Sequence, residues 1–329
     1  GDQYRPFPAS LLWNRGKKSI TLDVNDNEDL NELRNLSLKA DVVIEGFEPG
    51  FADTHGFGYE TLKTDHSGLI YCSITGFGPK GPYAKYKSYE GLVQAKSGRL
   101  MTFAGLTGRE GPNFASVRVA NHSASMAAVR GIISALMVRD RTGLGQRVET
   151  SLLQAMTYYD MSQFILWQMV IKYPETFDFD PTTIARRPSP IQYLPARTKD
   201  GKWVQLANLI ERLFRSEIHA IGLGHIYDDP RFADAPNLVE EEDREALRRM
   251  ILGRMGERTF EEWMDLFVNE EGDVAAEPFM TSTEALSHPQ VIHNGHVQTI
   301  DDPTVGPMKQ LGPAFTMSPT SPRIQGPAP

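Results

Sequence analysis

Two nearly continuous apolar runs constrain the fold of this chain more than any other feature. Ala40-Asp-Val-Val-Ile-Glu-Gly-Phe47 closes at Pro49-Gly50, and Leu69-Ile-Tyr-Cys-Ser-Ile-Thr75 ends at Gly76. A strand facing solvent on one side alternates apolar with polar residues; a run without that alternation suits a strand covered on both faces, as in parallel sheets. Before them lies a shorter β-prone run, Ser19-Ile-Thr-Leu-Asp-Val24, then Asn25 to Lys39 with Leu30, Leu33, Leu36 and Leu38 at helical spacing. A short polar helix is expected between the two apolar runs. Parallel strands need crossovers of this length, so the pattern predicts successive βαβ units. Ligands of open parallel sheets bind beyond the carboxyl ends of the strands, which marks the loops at 45–56 and 75–90 as site candidates.

After residue 120 helices take over. Met126, Val129, Ile132, Ile133 and Leu136 predict a helix over 123–139 stopping near Gly143, and a second helical pattern fills 151–171. Residues 174–198 are rich in Pro, Arg and Thr and read as an extended linker. Lys199-Asp-Gly-Lys-Trp-Val-Gln-Leu206 reads as a hairpin turn entering a strand, followed by helices at 208–221, 240–256 and 259–270. From 300 onward seven prolines predict an extended segment wrapped over other structure.

Composition narrows the function classes. Of 329 residues, 34 are Lys or Arg and 42 Asp or Glu, a formal net charge of −8, which disfavours general binding to nucleic acid or an anionic membrane. A single cysteine, Cys72, excludes a disulfide framework and a multi-cysteine zinc site. No run reaches the roughly 18 apolar residues of a membrane span, and the polar opening Gly1-Asp2-Gln3 has no signal-peptide core. These features predict a soluble cytoplasmic protein.

Several motifs carry little. Gly76-Phe-Gly-Pro-Lys-Gly81 matches a dinucleotide fingerprint, but Pro79 and Pro82 prevent the helix that the fingerprint must open, so a glycine turn is expected. His288, His293 and His296 read as a solvated loop, and Glu240 to Arg249 as a solvated helix face; no metal site is predicted. Three other stretches are stronger together than singly: Trp13-Asn-Arg-Gly-Lys-Lys-Ser-Ile20, Lys87-Ser-Tyr-Glu90 and Asn121-His122-Ser123.

In order, Asn14-Arg-Gly-Lys-Lys-Ser-Ile20, Ala40 to Gly50 and Leu69 to Tyr83 closely resemble the class III CoA-transferases, the CaiB/BaiF family. So do Arg139-Asp-Arg-Thr-Gly-Leu-Gly-Gln146, Thr198 to Val204, Asp229-Pro-Arg-Phe-Ala233, Arg258-Thr-Phe-Glu-Glu-Trp263 and His288-Pro-Gln290. The resemblance covers essentially the whole chain. It implies an α/β fold: a Rossmann-like parallel-sheet large domain built from both chain ends, plus a smaller α/β domain, in an interlocked homodimer. The expected boundaries are 1–173 for the CoA-binding domain, 174–198 for the linker, 199–299 for the small domain and 300–329 for a Pro-rich return to the large domain. Family members move CoA between an acyl-CoA and a carboxylic acid through an aspartate carboxylate, so CoA is substrate and no permanent cofactor is expected.

The resemblance also assigns site positions. Leu22, Asp23, Val24 and Asn25 correspond to a segment lying against CoA. Phe47 matches an adenine-side loop in which Gly46 and Glu48 stand where the family has Asn and Arg; Thr54 stands where it has a further Arg. Lys87, Ser88 and Tyr89 correspond to CoA contacts, Lys87 as a phosphate partner, and Glu90 to an active-site acid. The nucleophilic aspartate, which sits before a helix, corresponds to Asn121. An amide has no anionic oxygen to attack a thioester, so a catalytically silent CoA-binding or scaffolding member is the alternative to an active transferase. The acyl-CoA racemase branch, with Gly-His-Asp where this chain has Ser88-Tyr89-Glu90, fits least. Family members extend beyond both Gly1 and Pro329, so the resemblance implies a chain short at both ends, or half of a tandem protein.

Overall fold

A computed structural model describes residues 8–98, 100, 112, 117–158, 161–177, 190–270 and 273–329. The chain divides into two compact units, residues 21–188 and residues 1–20 with 189–329. The protein is mixed α/β with a parallel sheet in the first of these.

In unit 21–188, α1 (Asn27–Leu38) starts where the Asp26 carboxylate accepts from the Glu28 and Asp29 amides. Strand β1 (Val42–Glu45) follows, then the short helices α2 (Phe51–Thr54) and α3 (Tyr59–Asp65) and strand β2 (Ile70–Thr75). Next come α4 (Glu90–Lys96), α5 (Val119–Thr142), β3 (Arg147–Ser151), α6 (Leu152–Thr157) and α7 (Met161–Lys172). The strands lie in the order β1-β2-β3, all parallel, with Ile44 beside Cys72 and Cys72 beside Val148.

Central β2 is buried nearly throughout, which explains its unbroken apolar run. One cluster packs Leu62, Leu69 and Tyr71 with Leu38, Val43 and Tyr59. Another packs Val93, Ala120, Ala124, Leu152, Ala155 and Met156 with Ile74 and Phe77. Helix α5 comes close to the sheet through small residues: a Cβ at Gly131 would lie 2.6 Å from Val148 Cγ1. It ends at Gly143, whose φ of 74° few side chains adopt.

Two expectations here are corrected. Ser19–Val24 forms no strand: the Asp23 carboxylate takes the Asn25 backbone and side-chain amides at 2.9 and 3.0 Å, and Asp29 takes the Asp23 amide. These local bonds turn the chain into the cap of α1 and compete with a ladder. The 151–171 pattern is not one helix: Ser151 closes β3 and caps α6 by accepting from the Gln154 amide, and α7 is a separate element.

In the other unit, β4 (Tyr193–Arg197), β5 (Trp203–Ala207) and β6 (Ala276–Pro278) form an antiparallel sheet. The β4–β5 turn closes through Thr198 and Lys202, with Gly201 at φ 83°. Helices α8 (Glu211–Ala220), α9 (Glu241–Met255) and α10 (Phe260–Asp265) supply a core of Phe214, Ile218, Leu247, Ile251, Met255 and Trp263, joined by Phe267 just after α10. Strand β4 lies inside the stretch expected as linker. Leu194 and Ala196 alternate inward at period two, and Pro195 is tolerated because β4 is an edge strand. The tail is not wholly a wrap, since β7 (Val297–Asp302) and β8 (Gly306–Leu311) pair as a hairpin. Beyond it, the Pro327 carbonyl accepts from the Gly16 amide at 2.9 Å.

Candidate active site

A cavity of about 390 Å3 lies at the carboxyl ends of β1 and β2, where parallel-sheet topology predicts it. Its wall combines the β1 exit (Gly46, Phe47, Glu48), Thr75 at the end of β2 and Gly76 after it, Lys87 and Ser88 before α4, and Asn121 with Ser125 on α5. Six sequence-predicted residues therefore meet here: Gly46, Phe47, Glu48, Lys87, Ser88 and Asn121. Leu22, Asp23, Val24, Asn25, Thr54, Tyr89 and Glu90 do not line it. Leu22 and Val24 are half-buried, Asp23 and Asn25 lie in an exposed turn, Thr54 donates to the Gly50 carbonyl, and exposed Tyr89 precedes α4. The Asn25 bonds hold the Asp23 carboxyl below its ordinary range.

Local structure explains how the loops reach this point. Gly76 lies against Ser88, where a Cβ would come within 2.1 Å of the Ser88 Cβ. Gly78 and Gly81 take φ of 103° and 95°, and Thr75 Oγ1 accepts from the Gly78 amide. The glycine run is thus a turn that brings 83–90 back over the sheet. After β1, the Phe47 ring lies tilted by 31° against Phe51 at 4.9 Å and meets Phe57 edge-on at 5.9 Å, while His55 lies 4.2 Å from Phe51. Phe47 remains about half exposed, leaving an aromatic surface at the mouth. Sequence reading missed Phe51, His55 and Phe57, although their spacing in Phe51-Ala-Asp-Thr-His-Gly-Phe57 was the available signal.

The tightest feature is the Glu90 carboxylate at the first turn of α5. That helix has no side-chain cap from its own N-cap residue, Arg118. Glu90 substitutes for one: Oε1 accepts the Ala120 amide at 2.7 Å and Oε2 the Asn121 amide at 2.9 Å. The Asn121 side-chain Nδ2 also donates to Oε2, and Gln94 Nε2 donates to Oε1 at 2.6 Å. A carboxylate offers about four acceptor positions, so these four donors occupy Glu90. The positive end of the α5 dipole favours an anion at this place. In this arrangement Glu90 fixes the helix start and the orientation of residue 121, rather than presenting a free oxygen.

Charge around the cavity is mixed. Glu45 and Glu48 line it with Lys87; Glu45 Oε2 accepts from the Phe47 amide at 3.1 Å. A neighbouring cavity of about 360 Å3 shares Glu45, Pro49, Thr75 and Ala84 and adds Lys80, Lys85 and Arg147. Cys72 on β2 is buried; burial first, then Glu45, pushes its thiol up to about 11, so it is no nucleophile at neutral pH. Among the described residues no group of three or more His, Cys, Asp or Glu could hold a metal ion, and no helix is long and apolar enough to cross a membrane.

The sequence profile described as CoA-transferase family III matches residues 2–329. Succinyl-CoA:glutarate CoA-transferase of Mus musculus is 28% identical over 313 residues, covering 94% of this chain and 68% of that protein. Acetyl-CoA:oxalate CoA-transferase of Acetobacter aceti is 30% identical over 295 residues, covering 88% of this chain and 71% of the relative. Among solved structures, a CAIB/BAIF family protein from Brucella suis aligns with TM-score 0.77 and 29% identity, covering 98% of this chain and 80% of that one.

Proposed function

Since the chain belongs to CoA-transferase family III, we propose that its cavity at the ends of β1 and β2 binds a CoA thioester with the thioester carbonyl at residue 121. The reaction of such a site is movement of CoA between an acyl-CoA and a carboxylic acid, and this chain holds the reacting position as an unreactive amide. The observation carrying this reading is Asn121 in the cavity wall with its amide bonded to Glu90.

The chemistry needs an anionic oxygen at that point. A carboxylate there attacks the thioester carbonyl carbon, the C–S bond breaks, and CoA leaves as thiolate. The thiolate then attacks the carbonyl carbon of the enzyme's own carboxyl in the mixed anhydride, and the donor acid departs as carboxylate. The acceptor carboxylate next attacks the enzyme-bound thioester, again releasing the thiolate. Its attack on the acceptor acyl carbon forms the new acyl-CoA and restores the enzyme carboxylate. The Asn121 amide is neutral and its nitrogen lone pair is delocalised, so the first step fails. Glu90 does not replace it, because all of its acceptor positions are engaged. The same observations favour the second reading, a CoA-binding or scaffolding member without turnover.

Phe47 offers a ring face for the adenine, and Lys87, with Lys80 and Lys85 in the adjoining cavity, offers charge for the phosphates. Glu48 opposes a polyanion. An interlocked homodimer belongs to the proposal; Met126, Val129, Ile133 and Met137, exposed along one stripe of α5, support it as a face that a second copy covers. A cytoplasmic location also belongs to it. The test is a CoA-transfer assay on the chain and on Asn121→Asp, offering short acyl-CoA donors with mono- and dicarboxylic acids. Transfer by Asn121→Asp alone supports the reading; transfer by the unaltered chain refutes the role given to residue 121.

A further inference from the structure

We propose that Gln94 is a positioning residue that holds the Glu90 carboxylate against α5 and thereby sets the orientation of residue 121. This inference rests on the reading of residue 121 as the reaction position. Gln94 follows Glu90 by one helical turn, so the two side chains share a face of α4. It is fully buried, which is unusual for a glutamine, and its Nε2 donates to Glu90 Oε1 at 2.6 Å. Its own Oε1 meets no donor.

That orphaned carbonyl is informative. A buried polar atom without a partner destabilises a fold, so an apolar residue of the same length would serve packing better. What an apolar residue cannot supply is the donor to Glu90. The four bonds on Glu90 divide into two pairs: Gln94 and the Ala120 amide hold Oε1, and the two Asn121 donors hold Oε2. Gln94 therefore anchors the oxygen that does not touch residue 121, which aims the other oxygen at it. If residue 121 carried a carboxylate, its side-chain donor would vanish and two like charges would face each other. Gln94 would then be the remaining side-chain donor of these four, keeping Glu90 on the helix and out of the cavity. It acts through Glu90 and touches no reacting atom.

The test is Gln94→Met in the full chain, which keeps the length of the side chain and removes the donor. Thermal melting reports packing, and NMR hydrogen exchange of the Asn121 side-chain amide reports the Glu90 contact without any turnover. The expected result is an unchanged or raised Tm together with exchange at the Asn121 side chain faster by about tenfold. Glu90→Gln should speed the same exchange, and the double variant should be no faster than Glu90→Gln alone. Gln94→Leu repeats the test should the methionine variant fold poorly. Unchanged Asn121 exchange overturns the proposal, and so does a lowered Tm with exchange accelerated evenly along α5. In the Asn121→Asp background, Gln94→Met should lower kcat and leave KM in place. Absence of transfer by Asn121→Asp with Gln94 intact would instead count against the transferase reading, so the two failures are distinguishable.

Discussion

Replacing Glu217 by glutamine should make the stability of unit 1–20/189–329 markedly less dependent on pH. Glu217 lies on α8 with no exposed surface; one oxygen accepts from Asn208 Nδ2 at 2.6 Å and the other meets no partner. Asn208 in turn accepts the Ala275 amide at 2.8 Å, so the pair ties α8 to the entry of β6. Burial pushes the Glu217 carboxyl up from 4.5 to about 8, with the Asn208 bond opposing the shift. Because the folded form holds its proton more tightly than the unfolded one, the associated stability is complete below about pH 4.5. It declines as pH rises and is lost above about 8. At pH 7 the decline amounts to roughly 3 kcal/mol at 1.36 kcal/mol per pH unit. Glutamine keeps the shape and carries no ionisable proton. Melting followed by circular dichroism from pH 5 to 9 should show a Tm advantage of Glu217→Gln that grows with pH, reaching about 10 °C at pH 7 for a unit of this size. A gap that stays constant across that range would refute the buried neutral acid.

Three further substitutions probe the site and its frame. Glu48→Arg reverses a charge at the cavity mouth and should tighten CoA binding about tenfold in low salt by calorimetry, the gain shrinking as screening rises; no change would remove the phosphates from this side. A Cβ at Gly145 would come within 2.0 Å of the Leu69 carbonyl oxygen, so Gly145→Ala should cost about 1–3 kcal/mol by urea unfolding through displacement of the β2 entry. Thr259 and Glu262 form a reciprocal cap on α10, and Thr259→Ala should cost about 1 kcal/mol.

The parallel core was legible because β2 is buried on both faces, and such a strand leaves no polar alternation to mislead the reader. Helix α5 was legible by its apolar positions, yet Met126, Val129 and Ile133, three of the five residues that signalled it, lie exposed, and Ile132 and Leu136 are only partly buried. The buried side is instead made of Ala120, Ser123, Ala124, Ala128 and Ala135, which contribute weakly to any periodicity. Strand β3 went unread: five residues, Arg147-Val-Glu-Thr-Ser151, pair with β2, and a run so short signals little without its partner. The Ser19–Val24 run has β-prone side chains but loses to the local bonds of Asp23. At the site, the family resemblance assigned Asn121, Lys87 and Glu90 by position; Asn121 and Lys87 line the cavity, and Glu90 is bonded to the start of α5. The saturation of Glu90 depends on the Ala120 amide and on Gln94, and a contact spanning 30 residues has no signature in a linear pattern.

The most direct test of the assignment of residue 121 is mass spectrometry of the protein after incubation with an acyl-CoA and hydroxylamine. An activated acyl or thioester bond on an aspartate at 121 would be trapped as a hydroxamate on the peptide containing that residue. The trapped product should be found in Asn121→Asp and be absent from the unaltered chain, which should still bind CoA. A hydroxamate on Glu90, or on any other residue of the unaltered chain, would contradict the assignment.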